Sequence, residues 1–155
     1  MMLNAKQMQS LPSFFSKIPD PRRRQGRRHR LSTVLAIAAG ATLCGMRGYA
    51  AIADWARSLG QNARQRFGCR YANKGYIVPS ESNIRNVLIR VDPVHLDHAL
   101  QCWNEIYARK DESLAIDGKT MCNAIDDQGH RTHVLSVVGH QSKNCYAQKK
   151  WVHCR

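Results

Sequence analysis

Acidic residues are scarce in this chain of 155 residues: 11 Asp and Glu stand against 24 Lys and Arg, a formal net charge of +13 at pH 7. That imbalance sets up a long-range field attractive to polyanions, and nucleic acid is the commonest such partner. Paired cysteines are also missing. The six cysteines occur singly and no C-x-x-C is present, which argues against a disulfide framework and for reduced cytosolic thiols. The N-terminus has no apolar signal-peptide core. No hydrophobic run reaches the ~20 residues a bilayer span needs. The best candidate, Leu31 to Met46, is interrupted by Ser32, Thr33 and Thr42 and reads as a buried core helix. There is no G-x-x-x-x-G-K-[ST] loop, which argues against an NTPase. At 43% hydrophobic residues the chain is still ordinary enough to fold.

What is present falls into two parts. A short amphipathic helix ends near Ser16, before Pro19. The segment Asp20 to Arg30 follows, with six arginines in eleven residues: Arg22, Arg23, Arg24, Arg27, Arg28 and Arg30. Like charges at this density resist packing into a core, whereas guanidinium offers two parallel donors to a phosphate. Helices are expected from Ser32 (as N-cap) to Cys44, ended by Gly45, and from Tyr49 to Leu59 with Gly60 as C-cap glycine. Residues 57–78 carry no acid and read as a basic loop, in which Phe67, Tyr71 and Tyr76 either stack on bases or anchor the loop to the core. Ser80 is expected to cap a helix with the buried stripe Ile84, Val87, Leu88 and Val91, leaving Arg85 free. Asp92-Pro93 opens another, facing inward with Leu96, Leu100, Trp103 and Tyr107.

After Lys110 the periodicity changes to that of strands. Leu114 to Asp117, Arg131 to Gly139 and Cys145 to Val152 are predicted strands, joined by turns at Asp126–Gly129 and His140–Asn144. The fold class is therefore α+β: a helical domain over residues 1–110, whose charge suits DNA binding, then the start of an antiparallel sheet over 111–155. Asp117 would sit at a strand tip, on the rim where α/β folds keep their active sites. Phosphodiester chemistry with metal ions needs several hard oxygen ligands, and one aspartate cannot hold two cations alone. The cluster Cys122, His130, His133, His140, Cys145, His153 and Cys154 lacks the close ligand pairs of a structural zinc site.

The ordered succession of motifs goes further. Asp20-Pro21-Arg22, His29-Arg30-Leu31, Tyr49 to Ala56, Val78 to Val87, Val91-Asp92-Pro93, Ala115 to Thr120 and Thr132 to Ser136 together resemble the start of a bacterial insertion-sequence transposase of the H-repeat-associated type, within the Asp-Asp-Glu transposase superfamily. The resemblance implies a helical transposase-associated domain followed by a ribonuclease-H-like catalytic domain. That domain would cleave and join DNA with Mg²⁺ held by an Asp-Asp-Glu triad. Asp117 matches the first aspartate of the triad, as both catalytic and metal-binding residue. Family members commonly carry Arg where Met121 stands. The implied DNA contacts are Arg22, Arg23, Arg24, Arg27, Arg28, Arg30, Arg85 and Lys119, and the implied partner is the DNA of insertion-sequence ends. The likeness stops at Lys150, and the second aspartate and the glutamate have no counterpart. The expectation is thus a truncated, cytoplasmic transposase fragment that binds no Mg²⁺ productively, with a residual DNA-binding fragment or a functionless remnant as alternatives.

Overall fold

Helix α2 (Leu31–Leu43) is apolar on nearly every side, as a helix must be if neighbours are to surround it. Leu31, Val34, Leu35, Ala36, Ile37, Ala38 and Ala41 are all buried. The computed structural model describes residues 5–107, 113–125, 128–141 and 145–151. They form two compact units, Met2–Ala99 and Leu100–Arg155, and α6 (Pro93–Tyr107) runs across the division. The class is α+β.

In the N-terminal unit, α1 (Ala5–Phe15) packs on α2 through Leu11 and Phe15, four residues apart and both buried. Helix α3 (Tyr49–Ser58) buries Ile52, Ala53 and Ala56, and α5 (Glu81–Arg90) buries Ile84 and Val87; these two helices pack on each other and on α2. Helix α2 ends as its sequence predicts. Gly45 has φ +83°, its amide bonds Thr42 O at 2.9 Å and the Met46 amide bonds Ala41 O at 2.9 Å, the two reversed bonds of a Schellman stop. Close approach fixes Gly40 instead: a Cβ there would lie 3.0 Å from the Trp55 ring and 3.1 Å from that of Phe67. Those rings meet edge to face with centroids 5.9 Å apart, so Phe67 anchors its segment to the core.

The segment expected to be a basic loop is more ordered than that. It contains α4 (Gln61–Arg66) and a hairpin of β1 (Arg70–Ala72) and β2 (Gly75–Ile77). Gly60 has an ordinary φ of −68° and precedes α4 as its N-cap, so Leu59, not a glycine, closes α3. Ser32 likewise lies inside α2, with Arg30 in the cap position. The hairpin turns on Asn73 and Lys74, both at positive φ (50° and 63°), the geometry of a two-residue type I′ loop. Helix α4 holds it from behind: Gln61 Oε1 accepts the Tyr76 amide at 2.6 Å, and Arg64 donates to Tyr76 O at 3.2 Å and Arg57 O at 2.6 Å. The Thr33 hydroxyl ties the intervening turn to α2 by donating to Gly68 O at 2.9 Å. Helix α5 is capped as expected, Ser80 Oγ accepting the Asn83 amide. Asp92 Oδ1 accepts the Val94 amide at the start of α6.

The C-terminal unit is an antiparallel meander, β3 (Leu114–Ile125), β4 (Arg131–Gly139) and β5 (Cys145–Trp151), in that order across the sheet. Trp103 of α6 is buried, and Asn104 donates to Cys145 O at 2.8 Å. Leu114, Ile116 and Ile125 of β3 are exposed. The Tyr107 side chain and the turn residues Asp126, Asp127 and Ser142–Asn144 lie outside the described residues.

Candidate nucleic-acid interface

The segment from Asp20 to Arg30 has a fold of its own, and Arg22 makes it. Arg22 is the second residue after the segment's single acid, close enough for a bidentate fork. Its Nε donates to Asp20 Oδ1 at 2.9 Å and its Nη2 to Asp20 Oδ2 at 2.8 Å. Nη2 also donates to His29 O at 2.8 Å and Nη1 to Gly26 O at 3.1 Å, so the guanidinium closes the segment into a loop. Only 3% of Arg22 is exposed. Arg22 was expected to bind DNA; it is instead an internal brace, because the carboxylate and two inward carbonyls occupy its donors. Burial pushes the Asp20 carboxyl up. Hydrogen bonds from the Arg22 side chain and backbone, with the charges of Arg22 and Arg27, outweigh that and hold it below its ordinary value.

Arg27 is half-committed. Its Nε donates to Arg22 O at 2.8 Å and its Nη2 to Asp20 O at 3.0 Å, while much of the side chain stays in water. Arg23, Arg24, Arg28 and Arg30 are exposed and meet no carboxylate among the described residues. One internal arginine thus presents four outer ones from a folded loop, which lowers the ordering cost of binding a polyanion. Arg85 is exposed on α5 and Lys119 on β3; each lies in a different unit.

Beside this loop lies a cleft of about 480 Å³. Arg28 and His29 border it from the loop, Arg70 and Asn73 from the hairpin, and Ser80 and Asn83 from the start of α5. No acid lines it. His29 is buried, and its Nδ1 has no hydrogen-bond partner among the described residues. Burial pushes the His29 imidazole below its ordinary value, and the charges of Arg70, Arg22 and Arg28 push it the same way. All of these favour the neutral form of the ring. Arg70 reads from the sequence as one cation of the basic 57–78 region; the hairpin that carries it escaped sequence reasoning because three-residue strands leave almost no periodic signal.

Asp117 lies away from the strand tip that the sequence suggested. It is the fourth residue of the 12-residue β3, which runs on to Ile125, and it pairs with Ser136 in the middle of the sheet. Gly118 does not break the strand because it pairs with Leu135. Alternation puts Asp117, Ser136 and Gln148 in one row across the three strands, with Lys119 and Lys150 on the same face. On the opposite face Thr120 Oγ1 and His133 Nδ1 share a hydrogen bond of 2.9 Å. Among the described residues no group of three or more His, Cys, Asp or Glu is placed to hold a metal ion. One carboxylate beside two lysines does not by itself fit Mg²⁺, whose sites use carboxylates together with phosphate oxygens and water.

A family model described as DDE_Tnp_1-associated matches residues 13–104, which takes in the arginine loop, the cleft and most of α6. A protein of Xanthobacter autotrophicus described as an uncharacterized protein in the dhlA 3′ region is 30% identical over 143 residues, 88% of this chain and 46% of its own length. The chain therefore spans about half the length of the curated relative it matches. No solved structure matches.

Proposed function

The chain belongs to the DDE_Tnp_1-associated family, which goes with DDE-superfamily transposases, and on that premise we propose that its helical unit is the part of a transposase that grips DNA. One observation carries the reading: Arg22 folds the Asp20–Arg30 loop from within, so that Arg23, Arg24, Arg28 and Arg30 are held outward as a preformed cationic surface. Arg85, exposed on α5, is a further cation of the same unit. The chemistry suits a phosphodiester backbone, since guanidinium groups match anionic oxygen pairs and carry no requirement for base sequence.

The C-terminal meander is, in this reading, the opening of a ribonuclease-H-like catalytic domain, with Asp117 descended from its first metal ligand and Lys119 beside it. The support is the antiparallel order β3–β4–β5 and a lone carboxylate on the first strand. Bound Mg²⁺ would supply charge neutralisation at the scissile phosphate. Because Asp117 alone does not fit that ion, the 155 residues are expected to bind DNA, with insertion-sequence ends as the natural target, and not to cut it. No described helix is long and apolar enough to cross a membrane.

Fluorescence anisotropy with a labelled duplex tests the binding. Four to six phosphate contacts give a slope of log affinity against log salt of about −4 to −5. Affinity indifferent to salt would end the proposal. A plasmid-nicking assay with Mg²⁺ tests the second half: no nicking is expected, and nicking that disappears in Asp117→Asn would overturn it.

A further inference from the structure

The cleft beside the arginine loop is more specific than a cationic surface. We propose that it is a discrete pocket for one phosphate group, formed by Arg28, His29, Arg70 and the N-terminal turn of α5. Three independent parts of the chain bring donors to it: the loop, the hairpin and the helix. Arg28 and Arg70 meet no carboxylate among the described residues, so their charge is uncompensated there. Helix α5 is ten residues long and starts at the cleft. Its first-turn amides at Glu81 and Ser82 have no carbonyl within the helix to bond, and the dipole favours an anion at that end. Asn83 turns Oδ1 toward Arg22 Nη1 at 3.5 Å, which leaves its Nδ2 as a further donor.

The second, separate observation is His29. A polar atom that is sealed from water without a partner is costly, and such atoms call for an explanation. Only 6% of His29 is exposed, and its Nδ1 is unpartnered among the described residues. The charged groups facing it are Arg22 and Arg28 of its own segment and Arg70 of β1; the start of α5 brings the neutral Ser80 and Asn83 to the same cleft, and Asp20 is engaged by Arg22. Two uncompensated cations, Arg28 and Arg70, beside a buried ring with an open nitrogen suit a site that takes an anion. An entering dianion neutralises their field, and the imidazole can then take a proton and become a donor. Occupancy and protonation of His29 are thereby linked: affinity rises as pH falls through the window between the ring's depressed and restored values.

That the phosphate comes from DNA rests on the function proposed above; the pocket's chemistry does not, since a free phosphate group would fit the same donors. Sulfate is a suitable probe because it remains a dianion near neutral pH. With the whole chain, amide resonances of Arg70, Ser82 and Asn83 should shift saturably with sulfate. The dissociation constant should tighten by up to about tenfold per pH unit as pH falls below about 6.5, the limit for one linked proton. Arg70→Gln, on the exposed hairpin, should weaken sulfate about fivefold or more while leaving the fold intact. His29→Gln should bind without the pH dependence; if that variant fails to fold, the pH profile of the native chain and Arg70→Gln decide the matter. No saturable shift, or binding that ignores both pH and Arg70→Gln, overturns the pocket.

A short duplex then separates the sources. Displacement of sulfate by the duplex identifies a DNA phosphate. Sulfate binding that no duplex displaces keeps the pocket, assigns it to a free phosphate and counts against the DNA-gripping reading. Tight, salt-sensitive duplex binding that leaves these resonances unmoved overturns the pocket and keeps that reading.

Discussion

Replacing Arg22 by Gln separates an arginine that folds the loop from one that meets DNA. In the native loop its guanidinium makes two bonds to the Asp20 carboxylate at 2.8 and 2.9 Å and one each to His29 O and Gly26 O. Removing one partner of a buried, hydrogen-bonded ion pair costs about 3–5 kcal/mol. Asp20 keeps 18% of its side chain in water, which lets solvent recover part of its charge, so the lower end, about 3 kcal/mol, applies. For a unit of this size that is a fall in Tm of roughly 10–20 °C. Arg23 is exposed and next in sequence, so Arg23→Gln should change stability by no more than about 0.5 kcal/mol. The DNA readout should invert: Arg23→Gln makes the salt slope shallower by about 0.9, whereas Arg22→Gln, measured cold where the chain is folded, leaves it nearly unchanged. Calorimetry and salt-titrated anisotropy on the two variants check this. An Arg22→Gln protein as stable as the native chain, with a slope shallower by about one, would refute the argument that Arg22 is a brace.

The same chemistry gives a pH prediction. His29 sits below its ordinary value when folded, so the unfolded chain binds its proton first; stability present above about pH 6.5 should decline as pH falls through that value, and Asp20, held low, should add a further loss below about pH 4. Urea titrations across pH check the two windows, and a flat profile between about pH 7 and pH 5 would count against the first. Lys74→Gly should stabilise the hairpin by about 0.5–1 kcal/mol, because Lys74 holds φ 63° where glycine is unstrained; a lower Tm would contradict the type I′ turn. Burial pushes the Cys69 thiol up to about 11, with Arg64 opposing, so roughly one thiol in a thousand is ionised at about pH 8. Peptide mapping after alkylation of the native chain should find exposed Cys44 modified well before Cys69.

Much of the fold was legible because it rests on local rules. The alternation of Arg131–Gly139 is β4 to the residue, Ser80 caps α5, and Gly45 stops α2 by the bonds its position implies. The misses share a cause in tertiary structure. The hairpin turns on Asn-Lys where Asn-Gly would have announced it, and α4, at six residues, is too short to show a period. β3 runs through Gly118 because β4 supplies the ladder bonds that glycine's own propensity would not secure.

The division among the arginines is harder still, and it is what the site depends on. Arg22 and Arg23 are adjacent and chemically identical, and no propensity scale distinguishes them. What separates them is reach. From Arg22 the fork closes on Asp20, two residues back, and on His29 O, seven residues on; Arg23 is exposed to water. One signal was present in the sequence: a single acid stands at the head of six arginines, and a lone carboxylate in such a field will be claimed by whichever guanidinium can form a bidentate pair at short range. Charge counting treats all six as one cationic stretch and so assigns every one to phosphate. Geometry assigns one to the fold and commits Arg27 in part, and it leaves the cations that border water and the cleft to meet a ligand.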